Sequence, residues 1–345
     1  MFALNQNDGI RLTGCELGIF DASSPLPLVV RPQGGGAGDL LEVAQRHRED
    51  IEQLLSRHGA MLFRDFDVST PAVFDDFISA VSDGAIFYNE RSSPRHAIYR
   101  NIYTSTDHPQ DKEIFQHSEQ SYNNVFPRKL FFYCQQPAAI GGNTPLADAR
   151  KIYRRIPKDI ARTLETRRYR YSRCFWQIMG TKWQTAFQTE HKDKVEEYCR
   201  QQDIHFQWLP GDVLKTHQVR DTTVRHPLTR EACWFNHCTF FNLLSLDEDT
   251  QDILLASFAP DELPNQTFYG DGAEIPREII QHLQQAYLAE RTEFAWQKGD
   301  VLLIDNMLVT HGRRSYSGER SILCGMSDLT RWSDVTLRAH TVETT

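Results

Sequence analysis

No stretch of eighteen consecutive apolar residues occurs in the 345-residue sequence, and its opening, MFALNQNDGIRLTG, has neither the basic start nor the apolar run of a secretory signal. The expectation is a soluble, cytoplasmic protein that does not cross a membrane. Basic runs are missing too. No block of Lys or Arg exceeds two residues, and 38 Lys plus Arg stand against 46 Asp plus Glu, a net charge of −8. Proteins that neutralise phosphates carry a basic patch or stripe, so nucleic acid is not an expected partner. The seven cysteines (Cys15, Cys134, Cys174, Cys199, Cys233, Cys238 and Cys324) are odd in number, scattered and without a C-x-x-C pair. Neither a disulfide framework nor a thiolate zinc site is expected, and free thiols are.

What is present is ordinary for a folded chain: 40% hydrophobic, 24% charged and 11% aromatic residues. The length permits two domains or one large β barrel with helical decoration. After the flexible QGGGAG (33–38), Leu40, Ala44, Ile51, Leu54 and Leu55 recur at helical spacing and predict one amphipathic helix ending near His58-Gly59. Ala60 to Phe63 predicts a strand, and Ser69-Thr70-Pro71 a cap opening a helix with Phe74, Phe77, Ile78 and Val81 on its buried stripe. Together, residues 39–82 make an N-terminal scaffold. Further strands are expected at 129–134, 233–241 (CWFNHCTFF), 301–304, 307–310 and 320–326, and helices at 157–166, 253–259 and 276–290. Residues 167–225 show no clean period and are expected to form a lid or insertion that holds specificity. Short strands separated by turns, without β-α alternation, point to a mainly β protein with added helices, a barrel or jelly roll.

Three H-x-[DE] triplets occur, at His47, His117 and His191, against about two expected by chance from this composition. The first falls on the amphipathic helix and the third in a charge run, where a solvated surface role is expected. His117-Ser118-Glu119 alone has strand-like, aromatic surroundings. On a strand, residues two apart share a face, so imidazole and carboxylate could converge on one ion. His311 closes the apolar VLLIDNMLVTHG, and Arg320 opens another apolar run nine residues later. A guanidinium in that position is unusual unless it grips a carboxylate. Thr144 places a small hydroxyl just after the Gly141-Gly142-Asn143 turn.

The set H-x-E, then GG-x-T-P-x-x-D, then DN-x-x-x-x-HGR and G-x-R resembles the taurine dioxygenase/TfdA-like family of iron(II), 2-oxoglutarate-dependent oxygenases, over about Ala60 to Thr330. Glutamate in place of the more usual aspartate is similar to the clavaminate synthase-like branch and to aspartyl hydroxylases of the syringomycin pathway type. The segments SSPRHAIYRNIYTSTDHP (92–109), HSEQSYNNVFPRKLFFYC (117–134) and HPLTREACWFNH (226–237) carry the same likeness.

The resemblance implies one oxygenase domain over 1–345 with a double-stranded β-helix (jelly roll) core. It implies Fe(II) held by His117, Glu119 and His311, with 2-oxoglutarate as co-substrate and O2 as oxidant. The distal carboxylate of 2-oxoglutarate would fall to Arg320 and Thr144, with Arg313 or Arg314 as replacement if Arg320 faces away. The implied reaction hydroxylates an unactivated C–H bond of an amino acid or amino-acid-derived group, free or on a peptidyl carrier protein, in natural-product biosynthesis, with release of succinate and CO2. Desaturation or cyclisation by the same oxidant is the alternative outcome, and the presence of Glu119 speaks against halogenation. Candidate substrate contacts are Arg95, Asn236, His237 and Arg314, whereas Trp234 and Phe235 read as core. Two other classes compete. A zinc hydrolase could use the same ligands, but H-E-x-x-H is absent and Thr144 and Arg320 gain no role. A non-catalytic jelly-roll binding protein would be favoured by a missing ligand, and none is missing.

Overall fold

The structure is a computed structural model that describes residues 3–4, 9–20, 26–34, 36–87, 96–106 and 108–337. Two β-sheets face each other across the main core. The larger has nine strands in the order Ala3–Leu4, Cys15–Ile19, Leu28–Pro32, Ala60–Phe63, Val301–Asp305, Val125–Gln136, Ser321–Arg331, Ile102–Thr104, Ala97–Tyr99. The smaller runs Thr292–Phe294, Thr144–Asp148, Val309–Arg313, Ile114–His117, all antiparallel. This is the jelly roll.

Alternation along the strands explains why residues 60–63 and 301–304 of the larger sheet are apolar at every position. Ala60, Leu62, Leu302 and Ile304 point into the core shared with Leu146, Val309 and Phe294 of the smaller sheet. Met61, Phe63, Val301 and Leu303 point the other way, onto Leu54, Leu55, Phe74 and Phe77 of the N-terminal helices. With both faces covered, a strand of period two needs an apolar residue at every position.

The scaffold helix expected over residues 40–58 is two helices, Leu40–Arg46 and Arg48–His58, broken at His47. His47 is also not a surface residue: it is 9% exposed, accepts from the Thr13 amide at Nε2 and meets Asp50 at Nδ1, which spends its ring on tying down the preceding loop. Helix Pro71–Val81 has the expected cap, with the Thr70 hydroxyl accepting from the Val73 amide. The strand expected over 233–241 ends at Trp234. There the Asn236 side chain donates to the Thr222 carbonyl and accepts from the Cys238 amide, a local competitor that turns the chain. All seven cysteines are free and buried.

Residues 167–225 are regular rather than loop-like. They contribute Tyr169–Phe175, His205–Leu209 and Val213–Arg220 to a third, antiparallel sheet completed by Asn265–Tyr269. Irregular hydropathy there reflects two different coverings. One face packs on helices Lys158–Arg167 and Arg277–Ala289, while Phe175 and Leu214 join Trp183, Val195 and Cys199 in a separate small core. No described helix is long and apolar enough to cross a membrane.

Candidate metal centre and its cavity

His117 ends the strand Ile114–His117 and lies directly across from His311 in Val309–Arg313, their ring centroids 4.5 Å apart. Gly312 permits this approach, because a Cβ there would lie 2.5 Å from the Ile114 carbonyl oxygen. The pairing register shifts just past His311, an irregularity of the kind that re-aims side chains at sites. His117 Nδ1 lies 2.9 Å from the Phe115 carbonyl oxygen. A carbonyl only accepts, so Nδ1 carries the proton and Nε2 offers its lone pair to a metal.

Glu119 does not stand on the strand, which stops at His117; it occupies the turn that follows. The shared-face argument for H-x-E therefore gives way to a clamp. The Glu119 amide donates to Asn306 Oδ1 (2.7 Å), and Asn306 Nδ2 donates to the Glu119 carbonyl (2.8 Å) and to that of Pro127 (2.8 Å). Held this way, ligand atoms of His117, Glu119 and His311 lie within 4.8 Å of one another. Two imidazoles and one carboxylate with room beside them is the donor set of a non-haem iron(II) oxygenase site.

The three ligands open into a cavity of about 430 Å³. One part of its wall is Phe132, Thr144, Arg320 and Ile322. The Arg320 guanidinium has no hydrogen bond or ion pair among the described residues; it lies 5.4 Å from the centre of the Tyr316 ring and packs on Gly142, where a Cβ would come within 3.1 Å of its Cδ and Nε. Burial, then the charge of Arg313, pushes its pKa down to about 10, so it stays protonated at neutral pH. Thr144 Oγ accepts from Trp296 Nε1 at 3.0 Å, which leaves the hydroxyl proton to donate. An unpaired guanidinium beside a hydroxyl donor fits the distal carboxylate of 2-oxoglutarate.

The two alternative arginines are committed elsewhere. Arg313 donates to the main-chain carbonyls of His108, Pro109 and Lys112, which fastens that loop over the cavity. Arg314 pairs with Glu113 at 2.7 Å and Glu293 at 3.4 Å; it does not line the cavity, although Glu113 does.

The rest of the wall comes from Ser105, Thr106, His108 and Glu113 to Phe115, and from His237, Phe240, Phe241, Ser245 and Leu246, with Asn265. Asn236 is not part of it. Its amide is buried and spent on the Thr222 and Cys238 main chain, which corrects the expectation that it meets substrate. Its neighbour His237 is the one that faces the ligands, 5.7 Å from His117 between ring centroids, with Nδ1 2.6 Å from Ser121 Oγ. Burial, reinforced by His117, holds its pKa well below the ordinary imidazole value. Trp234 and Phe235 are core, as expected. Arg95 lies outside the described residues. No residue of 167–225 lines the cavity, although Tyr171 stacks on Phe241 of its wall at 4.5 Å.

A jelly roll that brings two histidines and a glutamate together beside an unpaired arginine defines an Fe(II)/2-oxoglutarate-dependent oxygenase, with O2 as oxidant. The chain belongs to the taurine catabolism dioxygenase TauD, TfdA family, whose model matches residues 22–327. It is 39% identical over 278 residues to the dapdiamide synthesis protein DdaC of Enterobacter agglomerans, covering 81% of this chain and 84% of that protein. A clavaminate synthase-like protein of Arabidopsis thaliana is 25% identical over 315 residues, covering 88% and 90%. In fold, the chain resembles PvcB of Pseudomonas aeruginosa, with a TM-score of 0.57, 13% identity and coverage of 97% and 100%. It also resembles AAD-2 in complex with Mn(II) and N-oxalylglycine, with a TM-score of 0.55, 13% identity and coverage of 92% and 98%.

Proposed function

We propose that this oxygenase hydroxylates an unactivated C–H bond of an amino-acid-derived substrate during assembly of a small-molecule natural product. The observation that carries the reading is the single cavity shared by the metal triad, the unpaired Arg320 and an aromatic and amide-bearing wall. Likeness to a dapdiamide synthesis protein supports the biosynthetic setting. Iron, when bound by His117, Glu119 and His311, supplies oxidation of a C–H bond coupled to conversion of 2-oxoglutarate and O2 to succinate and CO2.

The chain's own residues do the rest. Arg320 and Thr144 hold the co-substrate's far carboxylate, which fixes where its other end meets the metal. Phe115, Phe240 and Phe241 keep water from the reacting carbon. Arg313 secures the loop carrying His108 and Glu113 across the opening.

The test is incubation with iron(II), ascorbate and 2-oxoglutarate against a panel of free and carrier-loaded amino acids, reading succinate and product mass. The expected result is succinate formation stimulated by an amino-acid-derived member that gains one oxygen atom. Succinate release that no such member stimulates overturns the substrate assignment.

A further inference from the structure

Four aromatic groups run in contact from the candidate ligand His117 to the third sheet. His117 lies 5.7 Å from His237, His237 stacks on Phe241 at 4.8 Å, and Phe241 stacks on Tyr171 at 4.5 Å with only 7° between the planes. The Tyr171 ring is buried, and its hydroxyl donates to Asn265 Oδ1 at 2.5 Å. Asn265 begins the strand Asn265–Tyr269 and lines the same cavity as the iron ligands. Its amide orientation is therefore fixed from behind. With Oδ1 engaged by the phenol, Nδ2 has no partner among the described residues and remains as a donor on the cavity wall.

The charged groups of that wall are bonded elsewhere or stand at the co-substrate end. Arg313 is bound to carbonyls, Glu113 is paired with Arg314, and Arg320 stands with Thr144 at the co-substrate end. A neutral donor at the solvent-facing part of an aromatic wall, oriented by the Tyr171 hydroxyl, is matched to a neutral acceptor oxygen on an apolar frame. We propose that Asn265 is a specificity-determining residue whose Nδ2 donates to an acyl carbonyl of the substrate, so that the site takes an amide or a similarly blocked carboxyl group in preference to a free carboxylate. Tyr171 acts through Asn265 as a positioning residue. This rests on the reading that the substrate is amino-acid-derived, and it narrows that reading to one in which the carboxyl group is blocked.

The experiment is anaerobic calorimetric titration of the enzyme loaded with iron(II) and 2-oxoglutarate, using N-acetyl amino-acid amides, the corresponding N-acetyl amino acids with a free carboxylate, and simple acyl amides that lack an α-amino group. The amide is expected to bind more tightly than the free acid. Asn265→Ala weakens the amide by roughly five- to tenfold, the loss of one neutral hydrogen bond. Asn265→Asp, which keeps the size and the Tyr171 bond but replaces the donor with an acceptor, weakens it further. Tyr171→Phe has a smaller effect. Iron affinity and melting temperature stay at wild-type levels in all three, which separates lost recognition from lost folding.

Free acids that bind as tightly as the amides overturn the proposal and leave the amino-acid reading standing. Amide binding unchanged in both Asn265 variants also overturns it. If only simple acyl amides without an α-amino group bind, and do so through Asn265, the amino-acid reading fails while this inference holds. No binding by any carbonyl compound overturns both.

Discussion

Asn306 grips the main chain of Glu119 with both ends of its amide, accepting the Glu119 N–H at 2.7 Å and donating to the Glu119 carbonyl at 2.8 Å. The metal carboxylate therefore hangs on a side chain from the loop before the His311 strand. One amide ties the first two ligands to the third. Asn306→Ala should lower iron(II) affinity roughly 10- to 100-fold, as losses of groups that orient ligands do. Metal titration checks this, together with the weak visible absorption that iron(II) and 2-oxoglutarate produce anaerobically. A variant that melts normally and binds iron like wild type would remove the clamp from the account.

Arg320→Ala should raise the KM for 2-oxoglutarate roughly 10- to 100-fold, the range of a charge-assisted hydrogen bond of about 1.5–3 kcal/mol. Iron affinity should not change, because Arg320 is not a metal ligand. Arg320→Lys keeps the charge but loses the planar fork, so partial recovery is expected. If Arg313→Lys raises that KM and Arg320→Ala does not, the two arginines have exchanged roles. For Arg313→Lys itself the expected signature is a higher KM for the primary substrate, since its carbonyl bonds hold the loop of residues 108–112.

Asp305, the neighbour of Asn306, should make the protein acid-sensitive. Burial raises its pKa, but His226 at 3.0 Å, Arg128 at 3.2 Å and the Met307 amide outweigh it, and the result lies below the usual carboxylate value. Glu52 and Asp328, which share Arg128 and Lys129, are lowered in the same way against their own burial. The unfolded chain thus binds more protons than the folded one as pH falls through the carboxylate range. Stability from these groups is complete above about pH 5 and is lost as pH drops through their folded values. Thermal melts between pH 7 and pH 3 should show that steep acid limb. Asp305→Asn should flatten it while costing stability at pH 7, because Arg128 and His226 lose a buried partner. An unchanged acid limb would contradict the assignment.

Asn236→Ala separates scaffold from site. Its two bonds to buried main chain predict a loss of about 1–3 kcal/mol of stability. Substrate KM should not move. A large rise in KM with an unaltered melting temperature would return Asn236 to the substrate.

Much of this was written in the residues. The apolar runs at 60–63 and 301–304 are strands buried on both faces, and Thr70-Pro71 is a cap because its chemistry is local. His117, Glu119, His311, Thr144 and Arg320 were legible as candidates because their combined motif order resembles that of the oxygenase family, each motif alone being weak. What periodicity could not register was competition from side chains: Asn236 ends a strand by bonding the Thr222 carbonyl and the Cys238 amide, and the His47 ring is drawn in by the distant Thr13 amide, neither of which hydropathy records.

By itself, then, the sequence pointed to a barrel or jelly roll through its short strands and turns, and its motifs, through their resemblance to the oxygenase family, singled out His117, Glu119, His311, Thr144 and Arg320 as candidates. Only the tertiary structure decided which arginine is free. Three candidates lie within eight positions, and the choice turns on partners supplied by distant loops: the carbonyls of 108, 109 and 112 for Arg313, and Glu113 and Glu293 for Arg314. The same holds for Asn306 at Glu119 and for Asn265 on the cavity wall, 187 and 146 residues away along the chain from the glutamate they serve or face. Contacts of that range are set by how sheets pack, and no local pattern encodes them.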